Sequence, residues 1–340
     1  MKVRILTAAI ALALTSPATA QAPKPENPKV RFVVGGKAGI FYLPVTATER
    51  LGYFKDAGLD VEISDVASGA RALQSIVGGS ADIGTGTFDH TIQLQAQGQS
   101  VVGFVQYGTS PGLVMAMITA KAAAYRSPKD LKGMMIGVTS PGSSTHFMAA
   151  YLMTSSGLKP DDASFIGIGV TSTAVAAARR GEIDALVSSD PMISVMETDG
   201  LVKIIFDTRT PEGNAAVYGG AYAGGIVYAT SGFIDKNPNT VQTVATAFVR
   251  ALRWIATHTP DEVARLMPEE YALGNAAIYL RAITASKRIY SEDGRFVPGA
   301  AETAYTVLKM FDPSVAGARI DLPATHTDVF VNKALSALKH

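Results

Sequence analysis

The chain contains no cysteine among its 340 residues. That excludes disulfides, thiolate metal sites and cysteine nucleophiles together. Excess charge of one sign is also missing: 30 Lys and Arg against 29 Asp and Glu leave a formal net charge of +1. A general nucleic-acid binder needs a basic face that such a balance does not advertise. The five histidines, His90, His146, His258, His326 and His340, contain no i,i+4 pair and no HExxH motif, so no dedicated metal site is read. Beyond the N-terminus no apolar run reaches membrane-spanning length; residues 113–120 are strand-sized. No low-complexity tract or long charge run stands out.

What is present is a pattern that occurs twice. Residues 68–84 and 171–187 each begin with small hydroxyl or glycine residues suited to capping a helix, then run through an Ala-rich helical stretch. Gly78-Gly79 and Gly181 then stop the helix, and Asp82 and Asp184 lead into short apolar strands. Two such units predict two similar α/β lobes with a ligand cleft between them.

The N-terminus has the form of a secretory signal: Lys2 and Arg4, an apolar core over 5–14, and Ala18-Thr19-Ala20 before Gln21. Residues 1–20 are read as a signal peptide cleaved near Ala20, and 21–29 as a flexible leader. No cysteine follows the cleavage motif to take a lipid. The mature chain is expected to be soluble, exported and periplasmic, resting on large cores instead of disulfides. Strands are expected at 30–34, 59–63, 101–105 and 113–118, with helices at 43–55, 68–77 and 87–97. Their order implies a mostly parallel sheet covered by helices. A second lobe follows from near Ser127, and 222–229 returns the chain to the first. From residue 237 the sequence is mainly helical. The expected division is 30–120 with 219–340 as lobe 1 and 121–218 as lobe 2.

Leu51-Gly52-Tyr53-Phe54-Lys55-Asp56-Ala57-Gly58-Leu59-Asp60-Val61-Glu62 carries a resemblance, with Gly79-Ser80-Ala81-Asp82-Ile83-Gly84, 131–138 and 181–185 following in order. Together they resemble periplasmic substrate-binding proteins of ABC importers of the nitrate/sulfonate/taurine type, the NMT1/THI5-like family. The resemblance covers roughly residues 30–248. It implies a two-lobed periplasmic-binding-protein fold (type II) that closes on a small molecule, and a permease and ATPase at the inner membrane as partners. No cofactor and a monomer are expected. The fold family also includes enzymes, a pyrimidine synthase and a sulfinate hydrolase, but the resemblance gives these a cysteine that this chain lacks, so no enzyme is expected. A hinge is then expected at 119–121 and 218–223, where Gly219-Gly220 and Gly224-Gly225 are either flexible joints or plain turns.

In open α/β sheets ligands bind beyond the carboxyl ends of the strands. Four loops qualify: 36–42, 84–89, 139–146 and 188–191. Ser140, Ser143, Ser144 and Thr145 are read either as neutral donors to an anion at a helix start or as plain caps, and Thr87 is their counterpart in the first lobe. Phe41, Tyr42, Phe88 and Tyr222 are either aromatic walls of the cleft or core residues. Gly39 lies in the first loop. Arg71 serves a ligand or a surface ion pair; Asp190 contacts an amine, a hinge strand or a helix start; Lys37 is a weaker cationic candidate. The expected ligand is a small organic anion, a sulfonate, a taurine-like compound or an aromatic carboxylate. A sensor role and a pyrimidine or thiamine-precursor ligand are alternatives. A hydrolase built from Ser143, Ser144, His146 and Asp190 is the weakest, because no Gly-x-Ser-x-Gly elbow is present.

Overall fold

The computed structural model describes residues 24–170 and 172–338. The expected signal peptide lies outside the described residues. Ten strands form two five-stranded sheets. They are β1 (Lys29–Val34), β2 (Asp60–Asp65), β3 (Ile83–Thr87), β4 (Val101–Gln106), β5 (Val114–Ile118), β6 (Met135–Val138), β7 (Ser164–Gly167), β8 (Ala185–Ser188), β9 (Val202–Asp207) and β10 (Gly225–Thr230). The first sheet runs β2-β1-β3-β10-β4 and the second β7-β6-β8-β5-β9. Each therefore takes four strands from its own half and one antiparallel strand that enters directly after a crossing.

The repeated unit explains the internal symmetry. In the first copy Ser68 caps the helix Gly69–Val77, accepting from Arg71 N at 3.3 Å, and Gly79 at φ +72° ends it. In the second the helix Ser172–Arg179 ends at Gly181, φ +69°. The recurring aspartate has one job in both. Asp82 accepts from Arg31 N at 2.9 Å and Asp184 from Met135 N at 2.9 Å, so each carboxylate anchors the neighbouring parallel strand.

Several expectations need correction. The strand 113–118 is expected in the first lobe, but β5 pairs with β8 and β9 in the second sheet. The chain thus crosses between Gln106 and Val114, not at 119–121, and Thr119–Ala122 is a single helical turn beyond β5. An apolar strand does not encode whether its neighbours run parallel or antiparallel, so its sheet could not be read locally. The return crossing lies between Asp207 and Gly225 and includes 218–223, with the unanticipated helix Pro211–Tyr218 inside it. The crossings touch: Gly224 N donates to Gly108 O at 3.1 Å, and a Cβ on Gly224 would collide with Ser110 O.

The helix expected over 43–55 breaks into Leu43–Arg50 and Tyr53–Asp56, because Gly52 takes φ +75°. The last part of the leader is docked: Glu26 accepts from the amides of Asn239 (3.0 Å) and Thr240 (2.9 Å). Those are free N–H groups at the start of the 20-residue helix Pro238–Thr257, where a carboxylate is favoured. That helix buries Val241, Val244, Ala245, Phe248, Leu252 and Ile255 at helical spacing, and Phe248 stacks on Phe32 of β1 at 6.1 Å. Among the described residues no helix is long and apolar enough to cross a membrane.

Candidate functional site

The four loops converge on one pocket between the sheets. Gly35, Phe41, Tyr42, Gly69, Thr87 and His90 line it from the first sheet's side; Thr139, Ser143, Ser144, Thr145, Val170 and Ser189 line it from the second, with Leu113 from the crossing. Helices starting at Gly69, Asp89 and Ser144 all open towards it. Phe41 and Tyr42 set their rings edge to face, 4.8 Å apart at 89°. Burial, then the charges of Asp65 and Asp89, push the Tyr42 pKa up, so its phenol keeps its proton.

A carboxylate absent from the sequence reading organises the polar wall. Asp89, 1% exposed, accepts from Thr87 Oγ1 at 2.6 Å and from Ser144 Oγ at 2.8 Å, both on Oδ1. Tyr222 Oη donates to its Oδ2 at 2.9 Å. Thr87 and Ser144 also touch each other directly. One residue thus collects hydroxyls from both lobes and from the return crossing. The lobes meet again where Ser140 Oγ donates to Ser68 Oγ at 2.9 Å and Ala70 N to Ser143 Oγ at 3.4 Å. Ser143 sits at its helix start without capping it; its hydroxyl faces the other lobe. Thr145 Oγ1 accepts from Thr139 N at 3.0 Å and holds its own loop in place.

His90 is the second residue the sequence did not single out. It is 1% exposed, lines the pocket, and neither ring nitrogen meets a protein group with good hydrogen-bond geometry. Burial holds its pKa below the ordinary value, against the opposing pull of Asp89 and the nearby Gly142 backbone. The imidazole is therefore neutral near pH 7.

Other candidates lie elsewhere. Phe88 is fully buried against Phe296 (5.9 Å) and His326 (5.5 Å), away from the pocket wall. Arg71 is exposed and donates to Gln74 Oε1 at 2.9 Å. Lys37 is paired with Glu49. Gly39 underlies the first loop, donating to Gly36 O at 2.9 Å. Tyr222 acts through Asp89 and stacks on Tyr218 at 4.1 Å. Asp190 stands behind Ser189: its carboxylate accepts from Arg209 at 3.0 Å, Ser194 N at 3.0 Å and Ser286 Oγ at 3.3 Å. Its backbone carbonyl accepts from Ile40 N at 2.8 Å, so it joins the two sides of the cleft. A hydrolytic triad is not assembled. Ser144 gives its proton to Asp89, His146 Nδ1 accepts from Gly142 N at 3.1 Å, and Asp190 is held by Arg209.

Comparison with known proteins places this architecture. A Bordetella bronchiseptica RB50 protein of solved structure is 42% identical, with a TM-score of 0.90 over 94% of this chain and 100% of that one. The alkanesulfonate-binding protein SsuA of Xanthomonas axonopodis pv. citri, solved with MOPS, is 17% identical at TM-score 0.67, covering 91% and 98%. The periplasmic nitrate-binding protein NrtA of Synechocystis PCC 6803 is 13% identical at TM-score 0.74, covering 93% and 90%. These last two share the fold. A 4-amino-5-hydroxymethyl-2-methylpyrimidine phosphate synthase of Candida albicans WO-1 is 23% identical over 68% of each chain. The family model described as NMT1/THI5 like matches residues 42–263, well over half of the sequence, and the chain belongs to that family.

Proposed function

We propose that the protein is the periplasmic solute-binding component of an ABC-type importer, capturing a small molecule between its lobes and delivering it to an inner-membrane permease and its ATPase. One observation carries this reading: loops from the carboxyl ends of strands in both sheets close on a single pocket through direct hydrogen bonds, Ser144 to Asp89 and Ser140 to Ser68. A ligand that touches both walls favours the closed arrangement over the open one, and this population shift is what a permease can sense. The protein acts as a monomeric binder without a cofactor, not as an enzyme. Its signal peptide is removed near Ala20 on export. The small organic anion expected from the sequence is the competing ligand class, and the screen below includes sulfonates and carboxylates for that reason.

A thermal-shift screen of residues 21–340 against sulfonates, carboxylates, amides and amines tests the reading, because a ligand of the native state raises the melting temperature. A binder whose effect is lost in Ser144→Ala is expected. A screen in which no compound of any charge shifts the wild type counts against it.

A further inference from the structure

Resting on the binding-protein reading above, we infer that this pocket is built for a flat ligand that brings N–H donors and no negative charge, an amide or amidine edge paired with His90 and with the hydroxyl oxygens of Thr87 and Ser144. The first argument is that an acidic side chain already stands behind the pocket wall. Asp89 is buried in the first turn of its own helix and takes hydroxyls from Thr87, Ser144 and Tyr222. A second negative charge beside it would lie in a poorly solvated site with no counter-charge.

The second argument is the direction of the protons. A carboxylate only accepts, so the Thr87 and Ser144 hydrogens are taken up by Asp89 Oδ1 or by each other, and lone pairs are left for the pocket. The wall that looks donor-rich in the sequence is acceptor-rich in the structure.

The third is the absence of a cation. None of the lining residues is Lys or Arg. The nearby candidates are engaged: Lys37 with Glu49, Arg71 with Gln74, and Arg209 with Asp190 and Asp207.

The fourth is His90. A buried imidazole whose nitrogens meet no protein group with good hydrogen-bond geometry costs free energy, and such groups are rare unless a ligand or water completes them. Neutral imidazole offers one donor and one acceptor. An amide or amidine N–H can donate to the acceptor nitrogen, the remaining N–H groups can reach the two hydroxyl oxygens, and the ligand's ring lies beside the aromatic surface of Phe41 and Tyr42.

Four probes with one phenyl ring and different head groups test this: benzamide, benzamidine, benzoate and benzenesulfonate. Calorimetry uses residues 21–340, refolded from denaturant to strip carried-over ligand. Benzamide or benzamidine should bind at least about tenfold more tightly than either anion, the scale of one hydrogen bond involving a charged group. Asp89→Asn should level the preference between benzamidine and benzoate. Where that variant does not fold, Thr87→Val, which removes one acceptor and keeps the carboxylate, should weaken the amide or amidine about tenfold. An anion preferred by the wild type, an unranked series or four non-binders overturns the inference. An anion whose binding Ser144→Ala abolishes would overturn it while leaving the binding-protein reading in place.

Discussion

Replacing His90 by leucine separates a residue kept for a ligand from one kept for the fold. The imidazole buries two nitrogens that no protein group meets with good hydrogen-bond geometry. Removing an unsatisfied buried polar group recovers about 1–3 kcal/mol. The losses are of similar size. The ring meets Phe147 edge to face at 5.9 Å, 80°, a contact of about 0.5–1.5 kcal/mol, and an apolar residue of similar volume repacks for less than about 1.5 kcal/mol. His90→Leu should therefore stay within about 2 kcal/mol of the wild type. Binding of the ligand identified by the screen should fall at least about tenfold. Differential scanning calorimetry and titration calorimetry on one preparation read both quantities. A loss of more than about 2 kcal/mol of stability with affinity unchanged refutes the reasoning, since it would make the imidazole structural.

Arg209→Met should destabilise by about 3–5 kcal/mol in urea denaturation, because it strands the fully buried Asp190 carboxylate; a change below about 1 kcal/mol would mean the pair is dispensable. Stability should fall as pH drops from about 7.5 to about 5.5. His90, His146 and His326 all have pKa values lowered by burial, so below the unfolded value near 6.5 the unfolded chain binds more protons and each histidine costs up to about 1.4 kcal/mol per pH unit. A melting temperature that is flat or rises across that range contradicts these assignments. Exported protein should have an intact mass beginning near Gln21; a mass that retains residues 1–20 rejects the signal peptide.

Much of this architecture is legible in the sequence, for identifiable reasons. The helix–glycine–strand unit is local, so the first copy starts where Ser68 caps it and both copies end at their glycine stops. The loops after β1, β3, β6 and β8 could be placed because strand ends are local as well, and Phe41, Tyr42, Thr87, Ser143, Ser144 and Thr145 do line one pocket. What was lost is non-local. Phe88 comes just after β3, where the backbone has already turned helical, so Thr87 meets the pocket while the Phe88 ring packs on Phe296 in the core. Asp89 reads as an ordinary first-turn acid until Tyr222 and Ser144, 133 and 55 positions away, are seen to donate to it. The same partners reverse the polarity of the wall, since a serine's role as donor or acceptor depends on where its proton goes.

The account rests on two lobes that close over a ligand, and small-angle X-ray scattering tests that most directly. Residues 21–340 are measured alone and with a saturating amount of the tightest binder from the thermal-shift screen. The unliganded chain should show a larger radius of gyration than the closed arrangement described here, in which Ser144 reaches Asp89 across the cleft, and the ligand should shrink it to the closed value. Identical profiles with and without a compound shown by calorimetry to bind would contradict closure and the capture mechanism built on it.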